Sequence, residues 1–225
     1  MKRINWLPAL GAAAAGTLAL AAFAAPAQAA TTGKAHMPQD GWVNYIAAWG
    51  QKNNVVVTRS GNTIIIDDVV KIRAGKGCVA VKGDKTKVKC KSKGEPTKIR
   101  VHLRDKNDKL VNKTDVGSRI DAGNGNDHIT LGGGDDAVWA GHGSDTVYAG
   151  GGNDTIYGDG FNAGENRGGK PGNDVLNGGA GDDQIHGDGG NDKIRGNAGR
   201  DSLDGGEGKD DCAPSKADTA ALCEA

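Results

Sequence analysis

Aromatic residues make up only 4% of this 225-residue chain, with four Trp, three Tyr and two Phe. That scarcity excludes a core organised around bulky rings, which dominate the interior of most globular domains. Proline is sparse at six residues and methionine sparser at two. Beyond residue 30 no stretch approaches the ~20 apolar residues that a membrane-spanning helix requires, so membrane insertion is not expected. An H-E-x-x-H zinc motif and a G-x-S-x-G nucleophile elbow are both missing. The five histidines (His36, His102, His128, His142, His186) are scattered along the chain. No enzyme is expected from these residues.

Net charge is also lacking, at +0 for pH 7, but the average conceals a division. Residues 31–121 carry nineteen Lys/Arg against nine Asp/Glu, a net of +10. Residues 122–213 carry six against seventeen, a net of −11. The acidic half calls for a counter-ion. At the N-terminus, Lys2 and Arg3 precede an Ala/Leu-rich run over 7–23, and Ala27-Gln28-Ala29 follows. This reads as a secretory signal peptide over residues 1–29, cleaved near Ala29, rather than a membrane anchor. The protein is therefore expected to be secreted and extracellular. Four cysteines in an exported chain suggest two disulfides, although four allow three pairings. Cys78/Cys90 and Cys212/Cys223 are the local choices, and each would contribute ~3 kcal/mol by loop entropy.

What the chain has in abundance is glycine, 38 residues of it, and most stands in a fixed period. Nine nonapeptides in register fill residues 122–213. Each has Gly at its fourth position: Gly125, Gly134, Gly143, Gly152, Gly172, Gly181, Gly190, Gly199 and Gly208. Each has Asp at its sixth: Asp127, Asp136, Asp145, Asp154, Asp174, Asp183, Asp192, Asp201 and Asp210. Two residues after each Asp stands one small apolar residue: Ile129, Val138, Val147, Ile156, Leu176, Ile185, Ile194, Leu203 and Cys212. A period of this length states an architecture before any local propensity is consulted.

Residues 149–157, Ala-Gly-Gly-Gly-Asn-Asp-Thr-Ile-Tyr, serve as the type unit. Six residues of turn precede three of strand. Gly at the second and fourth positions permits positive φ, and where the second Gly is missing Asp159, Asp188 and Asn197 replace it, residues that tolerate a left-handed backbone. Such a turn directs backbone carbonyls into one pocket, and the Asp carboxylate completes an all-oxygen set suited to Ca²⁺. Strand alternation then leaves one inward aliphatic per nine residues as the whole core.

The pattern resembles the calcium-binding nonapeptide G-G-x-G-x-D-x-U-x of RTX (repeats-in-toxin) proteins. The resemblance implies an all-β fold, a right-handed parallel β-roll (β-solenoid) in which consecutive repeats build opposite sheets. It also implies ions between turns two repeats apart, on the Asp pairs 127/145, 136/154, 145/174, 154/183, 174/192, 183/201 and 192/210, about seven Ca²⁺ in all. The fifth repeat is interrupted, because residues 160–171 replace one residue with twelve beside the 145/174 pair. Arg200 and Lys209 precede the last two Asp residues and are expected to weaken those sites. Cys223 is expected to return to Cys212 and cover the open end, residues 214–225 forming a cap.

Residues 30–53 read as a linker with a short helix over 42–49, and residues 54–121 as a basic, β-rich region that nucleates and caps the roll. Strands are expected over 55–58, 63–67, 69–73, 78–82, 87–91 and 99–103, separated by turns such as Ser60-Gly61-Asn62. Residues 105–110 look like a decayed repeat, with Asp108 and Leu110 at the ligand and core places. Lys85, Lys87, Lys89, Lys91 and Lys93 alternate on one strand face, read as a solvated face that also discourages edge pairing, the alternative being a surface for a polyanion such as an anionic wall polymer or the acidic half itself. No aromatics interleave them, so nucleic acid is not expected as a partner. Trp139 and Tyr157 should be neighbours on one sheet, a cross-strand pair or a surface for sugar rings. The reading is thus an exported calcium-binding protein whose repeats fold on the ion. The alternative is a calcium-dependent adhesion module binding a glycan or cell-wall polymer. The oligomeric state is left open.

Overall fold

A computed structural model describes residues 32–160 and 169–224. The expected signal peptide, and most of the 160–171 insertion, lie outside the described residues. The first part of the chain folds as strands β1 (Gly33–His36), β2 (Trp42–Ile46), β3 (Asn54–Ser60), β4 (Thr63–Asp67), β5 (Ile72–Ala74), β6 (Cys78–Val81), β7 (Asp84–Lys91) and β8 (Lys98–His102). The coils that follow contribute β9 (Lys109–Asn112), β10 (Ser118–Asn124), β11 (His128–Thr130), β12 (Ala137–His142), β13 (Thr146–Gly151) and β14 (Thr155–Tyr157). After the insertion come β15 (Val175–Ala180), β16 (Gln184–His186), β17 (Lys193–Ala198), β18 (Ser202–Asp204), β19 (Asp211–Ala213) and β20 (Thr219–Ala221).

From β8 onward the strands deal alternately into two ten-stranded sheets, each strand parallel to the one a coil earlier. In one sheet Ile120, Val138, Ile156, Ile185 and Leu203 stand in register. In the other the rung runs Leu110, Ile129, Val147, Leu176, Ile194 and Cys212. All but Cys212 are buried, because strand alternation sends these side chains between the sheets and their neighbours outward. The fold is the expected parallel β-roll.

The core is richer than one aliphatic per repeat. In the first four repeats the opening position holds Ala122, Leu131, Ala140 and Ala149, all buried in the same cluster. The last five begin with Gly158, Gly178, Gly187, Gly196 and Gly205 and add nothing there. Packing therefore thins from the N-terminal to the C-terminal end of the roll.

The leader differs from expectation at three of its eight strands, β1, β2 and β5. Residues 42–49, read as a short helix, hold strand β2, whose Val43 and Tyr45 alternate inward against solvent-side Trp42, Asn44 and Ile46. That period of two fits a half-buried strand, and β2 is clasped between β1 and β8. The segment 30–53 is thus part of the body. The strand expected at 69–73 is displaced to β5, leaving Val69 exposed. Most leader pairings are antiparallel (β1/β2, β3/β4, β4/β7, β6/β7), whereas β2 and β3 lie parallel on β8 and β9 and start the two sheets of the roll. On β7, Lys87, Lys89 and Lys91 share the outward face while Val88 and Cys90 point in, and Lys87 pairs with Asp67 at 2.8 Å. Both local disulfides form, Cys78–Cys90 joining β6 to β7 and Cys212–Cys223 closing the far end.

Candidate metal centre

The sixth-position aspartates form two ladders, one along each edge where the chain turns between sheets. On one edge the backbone N–H of Asp127 donates to Asp145 Oδ1 (2.7 Å), Asp145 to Asp174 (2.8 Å), Asp174 to Asp192 (2.8 Å) and Asp192 to Asp210 (2.9 Å). On the other edge Asp136 donates to Asp154 (2.8 Å), Asp154 to Asp183 (2.9 Å) and Asp183 to Asp201 (3.0 Å). These hydrogen bonds join the seven pairs that the resemblance implied. The insertion does not break the ladder, since Asp159 accepts from the Gly172 and Gly189 amides and ties its base to the next coil.

Each carboxylate uses one oxygen in its ladder. The other, Oδ2, is buried and without a hydrogen-bond partner in all nine repeats. Buried polar atoms are almost always satisfied, and a carboxylate oxygen left bare inside a protein is costly. Nine identical orphans at the same repeat position form a pattern that a row of cations would complete. Among the described residues no three His, Cys, Asp or Glu side chains converge. A cation here would take one or two carboxylates and fill the rest of its shell from backbone carbonyls, a hard-oxygen set fitting Ca²⁺ better than zinc or another N/S-preferring metal.

Burial governs the electrostatics. Desolvation pushes the carboxyls up to about 6 at Asp136 and Asp183, about 7 at Asp127, Asp154 and Asp192, about 8 at Asp174 and about 10 at Asp145. Backbone donors oppose the rise, and neighbouring aspartates add to it at Asp145, Asp154, Asp174, Asp183 and Asp192. Without positive charge these groups resist ionisation, and a divalent ion reverses that balance.

The fourth-position glycines have a reason beyond dihedral freedom. A Cβ at Gly181, Gly190, Gly199 or Gly208 would fall on a carbonyl of the coil before, far inside contact distance, and the other five also meet backbone inside contact distance. The stacked turns leave no room for a side chain. Seven of the nine also have positive φ, Gly134 and Gly172 being the exceptions. At the second position Asp188 (φ 68°) and Asn197 (φ 77°) take the left-handed backbone expected of them, but Asp159 does not.

The RTX calcium-binding nonapeptide repeat family matches this chain in four copies, over residues 117–147, 132–162, 169–194 and 186–213. The roll is an RTX calcium-binding repeat array. No curated protein matches the chain. All nine orphaned oxygens lie within the matched residues.

Two features of the RTX array were not anticipated. Fifth-position side chains form a second, exposed ladder: Asn126 Oδ1 accepts from the Ser144 amide, Asp135 from Asn153, Asn153 from Asp182 and Asn173 from Asn191. The prevalence of Asn and Asp at that position was the available signal. Asp218, outside the repeats, accepts from the Asp201 amide and extends the second edge of the array by one rung. The Arg200 side chain is exposed and paired with Asp182 at 3.0 Å, so its charge is partly offset there. Trp139 and Tyr157 stack at 5.7 Å and Tyr157 stacks on His186 at 5.0 Å, with Arg119 over the outer face of Trp139 at 4.3 Å. The rings stack on one another along the sheet.

Proposed function

We propose that this is an exported calcium-binding protein whose repeat array folds on taking up several Ca²⁺ between its Gly/Asp turns. The orphaned Oδ2 at every repeat carries this reading, because a roll with so many bare buried carboxylates is poorly stable without cations. Ion-binding free energy then becomes folding free energy. The Ala27-Gln28-Ala29 signal supports export into an environment where millimolar calcium is available. The stacked ring ladder supports a sheet-stabilising role for Trp139 and Tyr157, since their faces are occupied by each other, by Arg119 and by His186.

The test is far-UV circular dichroism of the protein during a Ca²⁺ titration, with Mg²⁺ as control and a calorimetric ion count. A cooperative gain of β signal between about 0.1 and 1 mM Ca²⁺, absent with Mg²⁺, is the expected result. A spectrum already folded in chelator and unmoved by calcium would overturn it.

A further inference from the structure

We propose that the row of cation sites begins one coil before the RTX array, at a site built on Asp108 and Asp127 within the basic leader. This rests on the calcium reading of the array itself. Residues 103–111 carry no glycine, and the family match starts only at residue 117. Folded, however, they form a nonapeptide coil. Leu103 stands at the first position and Leu110 at the eighth, both fully buried. Arg104 (φ 89°) and Lys106 (φ 86°) take the left-handed backbone that glycine supplies at positions two and four elsewhere. A Cβ at Gly123 would meet the Arg104 carbonyl and one at Gly125 the Lys106 carbonyl, as Gly141 and Gly143 meet Gly123 and Gly125 one coil later.

Both polar ladders run through this coil. The Asp108 amide donates to Asp127 Oδ1 at 2.7 Å, and the Asn126 amide donates to Asn107 Oδ1 at 3.1 Å. Asp108 Oδ1 accepts in turn from the Asn53 amide at 2.7 Å. Asp108 is 3% exposed, and its Oδ2 has no partner, the same orphan found in every true repeat. An open pocket beside this carboxylate is lined by Asn53, Asn107, Asp108 and Asn126, with Lys52 and Lys109 at the same pocket.

Replacement of glycine is tolerated here because the stacking constraint comes from the coil before, and residues 49–53 are not a Gly/Asp turn. The cost is left-handed strain in two non-glycine residues and two added positive charges. Arg104 moderates one of them by placing its guanidinium over Trp49 at 4.8 Å. The opposite edge has no such extension. There Ser118 holds the aspartate position and donates to Asp136 Oδ1, and Ile99 holds it one coil earlier. The row is therefore longer on one edge, where the leader's β3 joins β9. A cation at Asp108 would couple the leader to the array at that junction.

The experiment is a bound-calcium count on the full chain by equilibrium dialysis, for wild type and Asp108→Asn. The expected result is one ion fewer in Asp108→Asn with the calcium-induced circular dichroism change retained. An unchanged count would overturn the proposal while leaving the array intact. Wild type binding no calcium would overturn the function proposed above and this inference with it. If Asp108→Asn does not fold, Arg104→Gly/Lys106→Gly provides the second reading. Removing two positive charges and the strain should tighten one site by roughly tenfold, and unchanged affinity at every site would count against the proposal.

Discussion

Gly151 and Gly152 are adjacent in one turn, yet they should respond in opposite ways to the same added methyl group. Gly152 has φ +111°, outside the range that L-residues adopt easily, and its Cβ would approach Gly134 and the Asp135 amide at 2.8–2.9 Å. Gly151 has no positive φ, and its Cβ would rest 3.7 Å from the Ala180 carbonyl, an ordinary contact. Backbone strain of 1–3 kcal/mol plus displacement of a packed coil gives about 3 kcal/mol for Gly152→Ala. Gly151→Ala should change stability by less than ~0.5 kcal/mol. If about seven ions are taken up together, 3 kcal/mol raises the calcium midpoint only about twofold, because the penalty is divided among them. Thermal melting at fixed saturating calcium is the more sensitive assay, and Gly152→Ala should melt roughly 10–20 °C lower. Equal effects from the two substitutions, or a neutral Gly152→Ala, would show that coil-to-coil approach does not demand glycine at the fourth position.

Acid should partly replace calcium. The ladder carboxyls have folded values raised to about 6 at Asp136 and about 7 at Asp127 against 3.8 for the free group. Each pKa unit corresponds to ~1.4 kcal/mol, so ionisation opposes the calcium-free roll by about 3 and 4 kcal/mol at these two groups. A raised folded pKa makes the relative stability complete below about pH 4 and lost as pH climbs through 6 and 7. Circular dichroism in chelator should therefore gain β signal on acidification from pH 8 toward 5, and a loss of signal would contradict the assignment. Ile156→Ala empties a fully buried rung between Val138 and Ile185 and should cost ~2–5 kcal/mol, read as a drop in melting temperature with the ion count unchanged. At limiting calcium, hydrogen exchange should open repeats over 178–213 before those over 122–157, because only the earlier repeats carry the extra buried Ala122, Leu131, Ala140 and Ala149. Uniform exchange along the roll would show that this packing gradient is energetically unimportant.

The nine-residue period stated a repeat architecture and placed Cys212 in the aliphatic series. The RTX resemblance that the period carries then implied the roll, its two alternating sheets and the seven aspartate pairs. Asp108 and Leu110 were legible as a decayed repeat from the same period. The leader was less so, because it has no period to enforce consistency. Five of its eight strands lay close to their expected places, but 42–49 lacked a strong local signal. It became a strand because β1 and β8 offered hydrogen bonds to both of its edges. Stacking of the coils, invisible in the repeat itself, made each aspartate divide its oxygens, one to the neighbouring coil's amide and one to no protein donor. Stacking also made glycine a demand of the coil before, which is why Arg104 and Lys106 stand where later coils admit only small residues. Both facts concern groups 18 or more residues apart in sequence that the fold brings into contact. A repeat pattern announces that such contacts exist, and their direction and room are set only when the coils are laid on one another.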